Sequence, residues 1–505
     1  MNKNKHCMLV GSGSNVKLSY LFLLMACGIE FLYATTYFIC IDGFFMINEY
    51  FANTYLIIPC LLFAGAAVTH PLSVPGKHRL LLGFATACWF MIVQVWHAAN
   101  DWGYNALGPF FFLFLLAFPF ATVTRDGKRN IGLYLLGQVY IAAALMLIGY
   151  TLLLYMGYLP EMMRDYIFWG GARLTNIWSP NPTACLLMIG FGFSIAFFCS
   201  TAKRWLKGVL LLIAAASFAC MTLTNSRTTI LTACAMMGGI CFFALIHKKG
   251  GWKRCLIAGV AAIVITGGLF LFSKGLYQIH TDIRISQITE QLEAEKAEAD
   301  VQEIPAETGK TAQTPTEEIP ASAEPQAVEV VRNEDVFVGT LYVDPNTGET
   351  TLQSNAGQGS LIDDIWTLNG RTTIWKAAFR ALLAEPKILF LGTKNVTNVV
   401  ASYGSFPAAH AHNSWIQTVM NLGLLGLIFA LVYSWIVLRS AFFLLFDSRV
   451  ELWKKAIVIL VLGLLVTGML EAYLFASDGY HFIAFPFHLC GGYLAHWRDQ
   501  LLEKE

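Results

Sequence analysis

Apolar runs long enough to cross a bilayer recur along nearly the whole chain, and no other feature limits the fold as much. They lie at 18–41, 50–68, 80–97, 106–124, 131–156, 183–201, 209–223, 228–246, 255–272, 415–437, 456–474 and 481–496. A hydrocarbon core about 30 Å thick needs roughly 20 helical residues, so the expected fold is an all-α, polytopic bundle of about 12 spans. With 56% of its 505 residues hydrophobic, 13% charged and a mean hydropathy of +0.56, the chain is too apolar for a soluble protein of its size. Its net charge of +1 argues neither for nor against nucleic acid, and no nucleic-acid partner is expected.

The placement of charge sets the expected topology. Lys77 and Arg79, then Arg125, Lys128 and Arg129, then Lys203, Arg204 and Lys207, then Lys248, Lys249, Lys253 and Arg254, then Arg439, Arg449, Lys454 and Lys455 mark alternate connections. The short connections between them, 42–44 and 100–105, carry neither lysine nor arginine. The positive-inside rule then puts both termini in the cytoplasm of a multi-pass cytoplasmic-membrane protein. The basic start, MNKNKHCMLVGSGSNVK, has no small-residue cleavage pattern after the following run, so the first span is expected to be retained. Cys27, Cys40, Cys60, Cys88, Cys185, Cys199, Cys220, Cys234, Cys241 and Cys490 lie in apolar runs and no CxxC pair exists, which points to small buried hydrophobes rather than disulfides or zinc.

Three regions follow: an N-terminal bundle at 1–273, a large extracytoplasmic loop at 274–410, and C-terminal spans at 411–505. Another outward segment, 157–182, is aromatic and Gly-rich, as interface loops are. Within the large loop, 290–332 is rich in Glu, Ala, Pro, Thr and Lys with almost no aromatics and is expected to be disordered. FVGTLYVDPNTGETTLQSN then alternates around a Pro-Asn-Thr-Gly turn and predicts a hairpin. Residues 371–384, RTTIWKAAFRALLA, place Ile374, Trp375, Ala378, Phe379, Leu382 and Leu383 at helical spacing before Pro386. The expected element is an amphipathic helix lying on the outer membrane surface.

On this topology Arg173, Arg227, Arg371 and His412 arrive at one face of the membrane. Arg227 is either a side chain snorkelling to headgroups or a ligand for an anion. Arg371 opens a helix, where a guanidinium beside the N-terminal dipole suits phosphate; a solvated position on an amphipathic helix fits its spacing equally well. Arg173 could simply anchor its loop, and His410 competes with His412 for any role. Glu30, Glu471 and Asp478, in or beside spans, read as polar helix-helix contacts. After His412-Asn413 come nine residues and then Gly423-x-x-Gly426. If this run is helical, Gly423 lies about 16 Å below the histidine, a depth at which small residues let a neighbouring helix approach closely.

The pattern His-Asn, nine residues, Gly-x-x-Gly resembles the signature of the O-antigen ligase and polymerase family of integral-membrane glycosyltransferases. Ser226-Arg227 closing an outer loop and Arg371-x-x-x-Trp375 some forty residues before the histidine are similar to that family too. So is ARLTNIWSPNPTACLL with Arg173 and Asn181, although the family's usual glycine is replaced there. The resemblance runs from about Ala172 to the end; the first five spans share only their apolar character, and the Glu/Pro-rich insertion departs from compact members.

The resemblance implies a GT-C-like bundle that transfers a glycan from an undecaprenyl-diphosphate carrier to an acceptor hydroxyl outside the cytoplasmic membrane. The implied partners are that donor, a glycan, lipid-core or wall acceptor, and membrane lipids. Arg227 and Arg371 would bind the diphosphate, with Arg173 as a further anion contact. His412 would be the general base, oriented by Asn413 or by packing at Gly423 and Gly426, with Trp375 supporting. An imidazole with the usual pKa of about 6.5 suits that task at neutral pH. No cofactor or metal is called for: the outward loops offer no Asp-x-Asp or Trp-Trp-Asp, and Asp363-Asp364 reads as a solvated turn. A polymerase differs from a ligase only in its acceptor. A transporter or flippase would also need about 12 spans but usually carries its ionisable residues near the midplane.

Overall fold

The computed structural model describes residues 88–89, 92–93, 130–156, 168–169, 173–174, 180–246, 251–302, 326–333, 336–343, 350–353, 371–393, 396–404, 410–475 and 481–503. The first four expected spans, apart from two residue pairs in the third, lie outside these. The chain forms α1 (Ile131–Tyr155), a ribbon of β1 (Phe168–Trp169) and β2 (Arg173–Leu174), α2 (Pro180–Ser200), α3 (Arg204–Leu223), α4 (Arg227–Ile246) and α5 (Trp252–Gln302). Then come β3 (Gln326–Asn333), β4 (Val336–Val343), β5 (Thr350–Gln353), α6 (Arg371–Ala384), α7 (Pro386–Leu391) and α8 (Val396–Tyr403). The chain closes with α9 (Ser414–Phe446), α10 (Leu452–Leu470) and α11 (His481–Leu502).

Among the described residues, 7 helices are long and apolar enough to cross a membrane: α1 to α5, α9 and α10. They fall on the runs at 131–156, 183–201, 209–223, 228–246, 255–272, 415–437 and 456–474. The last run, 481–496, is also helical, but α11 carries His481, His488, His496, Arg498 and Asp499 and falls short of that apolar standard.

The bundle is built around α2. Pro180 opens this helix and Pro182 lies in its first turn, where the missing N–H costs nothing. Every residue from Thr183 to Phe197 is buried, against α1, α3, α4, α10 and α11. Glycines permit this closeness: a methyl on Gly190 would fall 2.6 Å from the Ala144 Cβ, and one on Gly192 2.8 Å from a Leu460 methyl. Successive helices alternate direction. The starts of α2, α4 and α9 therefore share one end of the bundle with the end of α10, while Lys203, Arg204, Lys207, Arg449, Lys454 and Lys455 gather at the other.

Two expectations about the large loop are corrected. The division at 273 falls inside α5, a single helix of 51 residues. The segment expected to be disordered from 290 is helical to Gln302, and 326–332 belongs to strand β3. The physical reason is nucleation: ITEQLEAEKAEADVQ consists largely of good helix formers, and extending a helix already started in the membrane avoids the costly first turn. Residues 303–325 lie outside the described set. The chain is accordingly not purely helical, since β3, β4 and β5 form an antiparallel sheet in which β4 and β5 pair as the alternating pattern predicts.

Helix α6 starts and stops where expected, and its buried face is the expected one in part, keeping Ile374, Ala378 and Leu382 and adding Ala377 and Ala381. Ile374, Ala377, Ala378, Ala381 and Leu382 pack with Ile388, Val396, Val400, Ile416, Val419 and Met420 in a second small core over the first turns of α9. Phe379 and Leu383, assigned to the same apolar stripe from sequence, are exposed. The alanines win the buried side because they let α6 lie close to α7, α8 and α9.

Candidate functional site

The site begins at the turn 410–413. Asn413 caps α9: its side-chain oxygen accepts from the N–H groups of Trp415 and Ile416, both at 3.0 Å. Its amide donates to the Met469 carbonyl at 2.7 Å. The next residue, Ser414, donates to the Glu471 carbonyl (2.8 Å) and accepts from the Leu474 N–H (3.0 Å). Two adjacent side chains thus sew the start of α9 to the end of α10. Beneath them His488 Nε2 lies 2.9 Å from the Leu474 carbonyl, and the Tyr433 hydroxyl donates to the His488 carbonyl at 3.1 Å.

His412 itself adopts φ +48°, a left-handed conformation that costs a non-glycine residue free energy unless its surroundings impose it. They do: the His412 N–H donates to His410 Nδ1 (3.2 Å), the Trp375 indole donates to the Ala411 carbonyl (2.9 Å), and the Ala411 N–H donates to Gln417 Oε1 (2.7 Å). Trp375 therefore supports the histidine turn, one residue removed from the imidazole. His410 plays a backbone role. Burial, and secondarily the nearby His412, hold its imidazole down to about 4, so it stays neutral at physiological pH.

The centre of the site is Glu471, just beyond the last turn of α10 and 2% exposed. Its Oε2 lies 3.1 Å from His412 Nδ1; its Oε1 accepts from the Arg371 guanidinium and, at 2.8 Å, from the Asn181 amide. Burial pushes the Glu471 carboxyl up. The His412 hydrogen bond and the charge of Arg371 outweigh that and hold it below the ordinary carboxylate value, hence ionised at neutral pH. Asn181 Oδ1 in turn receives Arg173 Nη2 at 3.4 Å, and Arg173 Nε donates to the Thr224 carbonyl at 2.9 Å. Arg227 opens α4 three residues later and acts electrostatically on Arg173.

The structure thus brings Arg371, His412 and Arg173 onto one hydrogen-bonded chain through Glu471 and Asn181, with Arg227 beside Arg173. One carboxylate faces three guanidiniums, which leaves the cluster cationic and suited to a multivalent anion. Three sequence expectations change. Arg371 meets a carboxylate where a phosphate was expected. The side chain oriented on His412 is that of Glu471, whereas Asn413 serves the backbone. Glu471, read as a helix-helix contact, is the hub.

The glycines also act differently. Gly423, at φ +71° and ψ −173°, breaks α9. A methyl there would sit 2.1 Å from the Phe390 carbonyl oxygen, and one on Gly392 (φ +72°) 2.4 Å from the Asn421 carbonyl. The end of α7 therefore lies against the break, with backbone touching backbone. The break frees carbonyls that a straight helix would use, and they are taken by the Thr393 N–H (onto Met420, 2.5 Å) and the Trp89 indole (onto Leu422, 2.9 Å). Gly426 makes room for Leu422 of the same helix. Among the described residues, the backbone that meets Gly423 is that of α7, and Gly426 meets a side chain of its own helix.

Compared with known families, residues 209–431 match the model described as O-antigen ligase. That segment is similar to the O-antigen ligase family. No curated protein matches the chain. The matched segment contains Arg227, Arg371, Trp375, His412, Asn413, Gly423 and Gly426, whereas Arg173, Asn181 and Glu471 lie outside it. The hub thus joins side chains of the matched segment to flanking helices on both sides.

His410, His412 and Glu471 offer three ligand atoms within 4.8 Å of one another. Both Glu471 oxygens already accept hydrogen bonds, one from a guanidinium that would repel a divalent ion. The donor set suits an anion site better than a cation site.

Proposed function

We propose that the chain is a membrane glycosyltransferase of the O-antigen ligase type, moving a glycan from an undecaprenyl-diphosphate carrier to an acceptor hydroxyl at the outer membrane face. The observation that carries this reading is Glu471 holding His412 and Arg371 at once. An ionised carboxylate can only accept, so the proton between it and His412 belongs to Nδ1. In that tautomer the lone pair is on Nε2, the nitrogen left to act as a base.

In the proposed step the acceptor hydroxyl gives its proton to His412 Nε2 as its oxygen bonds the anomeric carbon. The bond from that carbon to the diphosphate oxygen breaks, its electron pair leaves with the diphosphate, and the anomeric centre inverts. Glu471 steadies the imidazolium formed. Arg371 and Arg227, with Arg173 behind them, stabilise charge growing on the departing oxygen at a water-poor boundary. Basic residues at the opposite end of the bundle support an outward-facing site by the positive-inside rule. A ligase is preferred to a polymerase because the histidine pattern follows one dominant late loop.

The test is transfer from a purified lipid-linked glycan in detergent, with no ion gradient. We expect turnover, and His412→Ala to abolish it while donor binding persists; near-normal activity in that variant removes the histidine from the mechanism. A protein that moves lipid-linked glycan only across a gradient would be a carrier. Deletion in the native host separates the acceptors: long unattached chains on the carrier indicate a ligase, single repeats a polymerase.

A further inference from the structure

The outward end of α5 supplies charge to the same site. Helices α4 and α5 are antiparallel neighbours whose register can be read directly. Thr266 donates to the Cys234 carbonyl at 3.3 Å, and a methyl on Gly238 would lie 2.8 Å from the Ala262 carbonyl oxygen. Four residues along one helix thus correspond to four back along the other. Carried to the start of α4, this register sets Arg227 level with Ser273 and Lys274. The apolar part of α5, 255–272, spans roughly 27 Å, so Lys274 stands where the hydrocarbon ends.

The surroundings agree with that placement. Ser273 is buried, and Arg227 acts electrostatically on Lys274. One turn further out, the Tyr277 hydroxyl is buried with no hydrogen-bond partner among the described residues, and Tyr277 acts on Arg173. A buried, unsatisfied hydroxyl beside guanidiniums is a costly arrangement that a phosphate oxygen would relieve. Below this level Leu271 and Phe272 are exposed, leaving an apolar track down α5.

We infer that Lys274 and Tyr277 bind the carrier-side phosphate of the lipid diphosphate, with the isoprenoid tail descending along α5, while Arg371 and His412 serve the glycan side. This rests on the diphosphate reading above. Tyr277 donates its hydroxyl hydrogen to a phosphate oxygen, and Lys274 with Arg227 neutralises that phosphate's charge. Arg371, next to the base, faces the reacting phosphate, and Arg227 is shared between the two phosphates.

The experiment measures binding of inorganic pyrophosphate to the full-length protein in detergent, then transfer kinetics. Tyr277→Phe and Lys274→Gln should each weaken pyrophosphate binding roughly tenfold and raise KM for the lipid-linked donor, with kcat within about twofold. Thermal unfolding without ligand should not drop in Tyr277→Phe; a drop would make the phenol a structural group and overturn the assignment. Wild-type binding in both variants, with loss in Arg227→Ala, overturns the role of α5 and leaves the diphosphate reading standing. Unchanged binding in Arg227→Ala and Arg371→Ala as well removes both. Competition by phosphatidylglycerol as strong as by pyrophosphate would mark a general headgroup contact and likewise overturn the assignment.

Discussion

The two ends of the bundle hold charge in opposite ways. At the end away from the site, the described ion pairs are local and each keeps some exposure to solvent: Arg449 with Asp447 at 2.7 Å, Lys454 with Glu451 at 3.2 Å, Arg498 with Asp499 at 2.7 Å. At the site end a single buried carboxylate reaches Arg371, His412 and Asn181, which are 100, 59 and 290 residues away in sequence. Local pairs cost little to form and contribute little. A buried pair far apart in sequence carries a desolvation cost that hydrophobic packing of the same volume would avoid, and removing one partner leaves a stranded charge. Such a hub is weak evidence for stability and stronger evidence for positioning.

Glu471→Gln should break the contrast most severely. The amide keeps the shape but loses the charge that fixes the His412 tautomer and balances Arg371, so kcat should fall by about 10²–10⁴ in the transfer assay. Activity within a few-fold of wild type would reduce the hub to scaffolding. Arg371→Lys comes next: an ammonium cannot hold the carboxylate and a phosphate in one planar fork, and we expect a loss of roughly 10- to 100-fold in kcat/KM.

A smaller effect is read by pH. His410 is held down to about 4 in the folded chain against about 6.5 when unfolded, so the unfolded state takes up the proton first as acid is added. Stability should fall between about pH 6.5 and 4, by on the order of 2–3 kcal/mol, and His410→Asn should remove that fall. Glu471, depressed below its ordinary value, contributes stability that persists above the usual carboxylate range and is lost only below it, so thermal unfolding against pH should separate the two groups. The smallest effect belongs to the far end. Asp447→Asn should change stability by less than about 1 kcal/mol and leave transfer unchanged; a larger cost would mean the two ends are less different than they look.

Much of the helical frame was legible because hydropathy and caps act locally. Among the described residues, seven helices long and apolar enough to cross a membrane fall on apolar runs, and α6 begins at Arg371 and ends before Pro386 as its spacing demands. Charge asymmetry was enough to bring Arg173, Arg227, Arg371 and His412 to one face. Glu471 was not legible as a hub, since a lone acid at the end of an apolar span has the same local signature whether it bridges helices or orients a base. The available signal was that it lies at the same end of its span as His412. The role of Gly423 was missed for a related reason: glycine spacing cannot tell a helix crossing from a kink met by another backbone.

The break at Gly423 also explains why the interval between the histidine and the glycines should tolerate no change in length. Below, the glycine is pinned by α7; above, the imidazole is pinned by Glu471. A residue inserted between them would turn the imidazole by about 100° around the helix axis with both anchors still in place. The eleven-residue interval therefore works as a vernier, setting where the base points by counting peptide units.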